Sequence, residues 1–222
     1  AQLVQRAEAA GYRALVLTVD APLAGVRNAE QRAGFALPDG VAAVNLAGMA
    51  PYQLVLAAGQ SAVFDGMMAI APRWADIAWL RSQTRLPIVL KGILSPHDAE
   101  LALQHGVDGL VVSNHGGRVL DTVPAALDAL PAIAAVVQGR VPLLLDGGIR
   151  RGSDVFKALA LGASAVLIGR PFIHALAVAG ALGVAHLLRT LHEELEVTMA
   201  LTGCRTLADI GPHCLWPAPP AV

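Results

Sequence analysis

Apolar residues along the chain gather into five short, nearly uninterrupted runs, at 15–20, 87–91, 110–114, 143–146 and 166–170. Such runs lack the polar alternation of a half-exposed strand, and they predict parallel strands buried within and covered by helices on the outer face. Three are preceded by the same device, a helix-forming run, a glycine and three further residues. The glycines are Gly11, Gly106 and Gly162, placed where a left-handed helix C-cap is needed. The other two strands follow Pro87 and Pro142. Helix starts are expected at Ser95-Pro96, with Asp98 three residues after the serine, and at Gly152-Ser153-Asp154. Alternating β and α with short loops predicts an α/β fold, either a doubly wound sheet or a (β/α)8 TIM barrel.

The residues that close the runs favour the barrel. They are Thr18 and Asp20, then Lys91, then Ser113 with Asn114 and His115, then Asp146, and finally Gly169 with Arg170. A β/α barrel carries its chemistry at the C-terminal ends of its strands, and five consecutive strands here end in a chemically capable group.

Composition narrows the field further. Of 222 residues, 55% are hydrophobic and 15% charged, which excludes a disordered chain. The net charge of -1, with no basic stripe, argues against nucleic acid as a partner. The longest helical candidate, 172–188, contains His174, Gly180, Gly183 and His186 and is expected to be a buried helix rather than a membrane span. No basic segment leading into an apolar one opens the chain, so no secretion signal is expected. Cys204 and Cys214 show no CxxC spacing, and a reducing cytoplasm is the expected location. None of the seven histidines shows paired ligand spacing, so no metal is expected.

Two segments carry the candidate chemistry. The stretch from Asp146 through Gly147, Gly148, Ile149, Arg150, Arg151 and Gly152 to Asp154 combines flexible backbone, guanidinium forks and a helix start, the components of a phosphate cradle. Gly169-Arg170-Pro171 supplies a second donor, and barrels frequently seat phosphate after their last two strands. The plainer alternative is a pair of glycine-rich connections with solvated arginines. In Ser113-Asn114-His115-Gly116-Gly117-Arg118, His115 can accept a proton near neutral pH and Arg118 can grip a carboxylate. Lys91 is a costly residue at the end of a buried strand unless an anion meets it, whether a ligand or Asp146 or Asp20. Asp20 can orient His115, or cap the turn that follows it.

Taken together, LTVDAP, LPIVLKG, SNHGGR, LLLDGGIRRGSD and IGRPF, in this order and spacing, resemble the FMN-dependent 2-hydroxy-acid oxidase and dehydrogenase family, which includes lactate oxidase, glycolate oxidase and mandelate dehydrogenase. The resemblance runs over nearly the whole chain, including the tail 195–204. It implies FMN as cofactor and oxidation of a small L-2-hydroxy acid, with oxygen, a quinone or a cytochrome as electron acceptor. By the same resemblance His115 is the base and Asp20 its support, while Arg118 and Arg27 hold the substrate carboxylate. Lys91, Thr18 and Ser113 would meet the flavin, Asp146 its ribityl chain, and Gly148, Arg150, Gly169 and Arg170 its phosphate. Residues 1–222 then form the C-terminal part of one barrel, of which only five β/α units are present, and the family resemblance implies a homotetramer. Residues 28–72, uncharged between 40 and 64, are expected to form a long lid-like loop or an oligomer contact. Two other readings remain. One is a different FMN- or phosphate-binding barrel, which would share DGGIR and the GR strand but is not expected to carry His-Gly-Gly-Arg, and the other is a truncated, inactive fragment of an active parent.

Overall fold

A computed structural model describes residues 1–50, 53 and 55–216. Five parallel strands form one sheet in sequence order: β1 (Leu15–Thr18), β2 (Ile88–Ile93), β3 (Gly109–Val112), β4 (Leu143–Asp146) and β5 (Ala165–Leu167). The helices are α1 (Gln2–Ala9), α2 (Asn28–Arg32), α3 (Trp74–Gln83), α4 (Pro96–Gln104), α5 (Ala126–Val137), α6 (Gly152–Ala160) and α7 (Arg170–Thr202). Each expected strand is present, with its polar closing residues at or just beyond its C-terminal end, except that β2 runs two residues past Lys91. The glycine device works as expected, since Gly11, Gly106 and Gly162 all have positive φ (78°, 70° and 107°). Ser95 caps α4 by accepting from the Asp98 amide at 3.4 Å, with Pro96 in the first turn.

The core lies between the sheet and α4 and α5. Ile88, Leu90, Leu110, Val112, Leu143 and Leu145 point into it from the strands and meet Ala99, Ala102, Leu130 and Ile133. Side chains alternate along a strand, so Lys91 and Asp146, next to Leu90 and Leu145, face the opposite, concave side of the sheet. The register brings that inner face into one row, pairing Thr18 with Lys91, Lys91 with Val111, and Val111 with Leu144.

Burial of all five strands is not observed. β3 is buried throughout, whereas β1 alternates between half-buried and exposed and Val16 is 56% exposed. β1 and β5 are the edges of an open sheet, each paired on one side only among the described residues.

Helix α7 also departs from expectation. It is not a buried helix: Leu191 is its single buried residue among those described, and Val178 and Leu182 are 86% and 81% exposed. By length and composition it could cross a membrane. It is also broken, with non-helical backbone at Ala179 (φ -144°) and Gly180 (φ 56°), leaving a short helix over 170–178 and a longer one beyond. The longer segment packs against α6, where a side chain on Gly152 would lie 2.2 Å from the Leu195 amide nitrogen.

Residues 28–72 contain α2 and short turns, at Val44–Leu46, Ala62–Met67 and Met68–Ile70, with no strand among the described residues. Arg6 of α1 holds this segment through the Asn45 carbonyl (2.7 Å) and side chain (2.9 Å).

Candidate functional site

β2 ends in a register shift between Lys91 and Ile93. Gly92, at φ 113°, makes that bend and leaves the space that Asp20 fills: a Cβ there would come within 2.5 Å of Asp20 Cγ. Asp20, just past β1, is thereby held against the loop after β3. Its Oδ1 lies 3.0 Å from His115 Nδ1, and its Oδ2 is buried and meets no donor among the described residues. A carboxylate partner makes Nδ1 the donor and leaves Nε2 as the free acceptor.

The His115 loop is fixed by its own sequence. His115, Gly116 and Gly117 all have positive φ (55°, 65° and 70°), an uncommon run in which only His115 carries a Cβ. Asn114 ties the loop down, accepting from the Gly117 amide at 3.2 Å and donating to the Pro124 carbonyl at 3.3 Å. Fully buried Ser113 is a junction. Its Oγ accepts from Lys91 Nζ at 3.1 Å and from the His115 amide at 3.0 Å, and donates to Asp146 Oδ2 at 3.1 Å. Lys91 Nζ also reaches Asp146 Oδ2 directly, at 2.7 Å. The lysine therefore has an internal counter-ion and also borders the cavity.

That cavity, 640 Å³, opens on the concave side at the strand ends. Its wall brings together His115, Arg118, Lys91, Asp146, Gly148, Arg150, Gly169 and Arg170, eight of the expected site residues. Asp20 and Ser113 stand behind it in support. Thr18 pairs in register with Lys91 but is not part of the wall, and Arg27 borders a separate cavity of 350 Å³ with Glu30. The two arginines are joined all the same. Glu30 accepts from Arg118 Nη2 at 2.8 Å and from Arg27 Nη1 at 3.3 Å. The hydrogen bond from Arg118 first, then that from Arg27, outweighs desolvation and holds the Glu30 carboxyl below the usual carboxylate range.

The expected phosphate cradle is only partly free for a ligand. The amides at the start of α6 are already taken, those of Arg150 and Arg151 by Asp154 Oδ2 (both 3.0 Å) and that of Gly152 by Glu194 Oε2 (2.7 Å). Two carboxylates facing that helix end repel a further anion. The cap residue is Arg151, with Asp154 in the reciprocal role. What remains for an anion is the Gly147–Gly148 turn, the Arg150 and Arg170 guanidiniums, and the start of α7, where Gly169 offers no side-chain cap. The nine-residue helix 170–178 points its positive end at this corner. Nothing lies within 4 Å of where a side chain would stand on Gly148 or Gly169, so a ligand can approach both backbones. Cavity, exposed backbone and an excess of cations suit a flavin mononucleotide.

His174 also borders the cavity. The sequence places His174 in an expected buried helix, although it sits four residues after Arg170, on the same helix face. Glu30 and Glu194 were missed as well; each acts on a partner 88 or 42 residues away.

A family model for FMN-dependent dehydrogenases matches residues 1–217. The chain is 54% identical to an L-lactate oxidase of Alicycliphilus denitrificans over 217 residues, covering 97% of this chain and 60% of that protein. It is 48% identical to the glycolate oxidase of Spinacia oleracea over 212 residues, covering 95% of this chain and 58% of that protein. A solved structure of mandelate oxidase with (S)-2-phenylpropionate superposes with a TM-score of 0.81 at 46% identity, covering 93% of this chain and 56% of that one. The chain thus spans little more than half the length of the relatives it matches, and its five units are part of the (β/α)8-barrel architecture. Motif order, concave-face cavity and these likenesses agree, and the chain belongs to the FMN-dependent dehydrogenase family.

Proposed function

We propose that the whole protein oxidises a small L-2-hydroxy acid to the 2-oxo acid, with His115 as base and Arg118 and Arg27 holding the substrate carboxylate. The observation that carries this reading is the Asp20–His115 pair at 3.0 Å, aimed into a cavity that Arg118 also borders. His115 Nε2 accepts the C2 hydroxyl proton, or the C2 proton, and the Asp20 carboxylate stabilises the imidazolium that results. Arg118 carries the substrate's negative charge and, with Arg27, fixes which face of C2 meets the base. Bound FMN would take up the two electrons released at C2. Lys91 would balance negative charge on the flavin ring, with Ser113 and Asp146 holding its ammonium in position. Gly148, Arg150, Gly169 and Arg170 would hold the phosphate, with Thr18 toward the ring. Oxygen, a quinone or a cytochrome would reoxidise the flavin.

Three further strands, from sequence beyond this chain or from another polypeptide, would close the sheet between β5 and β1 and complete the site. The low charge of 40–64 and its place between β1 and α3 support a lid or subunit contact.

The test is anaerobic flavin bleaching of the FMN-loaded protein, extended by any sequence preceding Ala1, with L-lactate, glycolate and mandelate. Loss of the flavin absorbance is expected. FMN bound but unreduced by every 2-hydroxy acid would assign the protein to a different FMN-barrel reaction.

A further inference from the structure

The active-site reading leaves one reactive cluster unused. Cys204 follows Gly203, the left-handed residue that ends α7 (φ 79°), and its amide donates to the Met199 carbonyl at 2.9 Å. It is buried, packed with Phe156 and Ala160 of α6 and with Ile210. Cys214 ends the turn Pro212–Cys214 and is half-buried. Both thiols are free, and their sulfurs are 3.6 Å apart. Both also point at one acceptor, the Asp209 carbonyl, at 3.6 and 3.8 Å. Forming a bond of about 2.05 Å requires the sulfurs to close by about 1.6 Å. Neither cysteine borders the cavity.

We propose that Cys204 and Cys214 are a redox modification site, a dithiol that low-molecular-weight disulfides oxidise to an intramolecular disulfide.

The two sulfurs have different roles. Cys214 is the more accessible and lies 3.4 Å from His213 Nε2, which can take its proton. Its thiolate attacks one sulfur of the external disulfide, forming a mixed disulfide and releasing one thiolate. The Cys204 sulfur then attacks the Cys214 sulfur and releases the second. The two protons lost by the cysteines go to the two released thiolates, and the two electrons reduce the external disulfide to two thiols. Cys204 suits the second step, because the Thr202 hydroxyl that favours its thiolate is outweighed by desolvation, the Cys214 thiol and Asp209, which raise its titration above the usual thiol range. A buried, protonated thiol is a poor first nucleophile, but it is well placed once the mixed disulfide sits beside it. The product would tie the end of α7 to the turn after it, beside α6.

The experiment equilibrates reduced, FMN-loaded full-length protein with graded ratios of oxidised to reduced glutathione. Free thiols are then trapped with a maleimide under denaturing conditions, and peptides are mapped by mass spectrometry. The expected result is joint loss of both thiols with a linked 204–214 peptide lacking two hydrogens. Cys214→Ser should keep Cys204 reduced at the same ratios, and Cys204→Ala should leave Cys214 carrying glutathione. Glutathione retained on wild-type Cys214 while Cys204 stays alkylatable would overturn the proposal, as would linkage of either residue to any other cysteine.

Discussion

Arg118 donates to Glu30 across 88 residues of sequence, at 2.8 Å, and through Glu30 it is coupled to Arg27. A carboxylate between two guanidiniums lets them stand close together without repelling, and under the proposed function the unused edges of both forks would meet the substrate. Replacing Glu30 with Gln should raise the KM for a 2-hydroxy acid about two- to fivefold, the scale of a surface ion pair, with little change in kcat. Steady-state kinetics of the FMN-loaded protein would check this. An unchanged KM would separate Glu30 from substrate binding.

The same link has a pH signature. Arg118 and Arg27 hold the Glu30 carboxyl below its ordinary value. Its folded value therefore lies below its unfolded one, so its contribution to stability is complete above the unfolded value and lost as pH falls through the folded value. Thermal midpoints of wild type and Glu30→Gln should differ at neutral pH and converge as the pH falls below the ordinary glutamate range and through the folded value.

His115→Gln should slow anaerobic flavin reduction by about 10²- to 10⁴-fold, the usual worth of a positioned base. FMN affinity should not change, because the phosphate corner is built from other residues. Stopped-flow reduction and fluorescence titration of FMN separate the two effects.

Gly92→Ala tests the support behind His115. The added methyl would stand 2.5 Å from Asp20 Cγ, on a backbone at φ 113°. Destabilisation of about 1–3 kcal/mol is expected from overpacking, and flavin reduction should slow as Asp20 is displaced from His115. Chemical denaturation and stopped-flow reduction measure these together.

Arg170→Met should weaken FMN binding about tenfold or more, by loss of a charge-assisted hydrogen bond. It should also loosen the His115 loop, since Arg170 Nη2 donates to the Gly116 carbonyl at 3.1 Å. Riboflavin, which lacks the phosphate, should bind wild type and variant alike.

The sheet and the site differ in how far the sequence reveals them. The five strands are legible because glycine, proline and apolar runs are local signals, and the polar residues closing them identify the working rim. Edge exposure at Val16 is legible only through the strand count, since five strands of an eight-stranded barrel leave two edges unpaired; the apolar run itself carries no such signal. The break in α7 left a trace in Gly180, but Gly180 reads equally as a tolerated glycine in a long helix. Asp154 was legible as a helix-start acid, whereas the blocking of that start by Glu194 depends on how α6 meets α7. Glu30 and the Cys204–Cys214 pair are spatial coincidences with no spacing rule behind them.

Ser113 carries one further consequence. A hydroxyl has a single hydrogen, and here it is committed to Asp146, so the same oxygen must serve both the Lys91 ammonium and the His115 amide. Any event that draws Lys91 toward a new negative charge changes how strongly that oxygen holds the His115 amide. Under the proposed function this one atom would gear the electron-accepting end of the cavity to the proton-accepting end, and Ser113→Ala would disengage them while leaving every ionisable side chain in place.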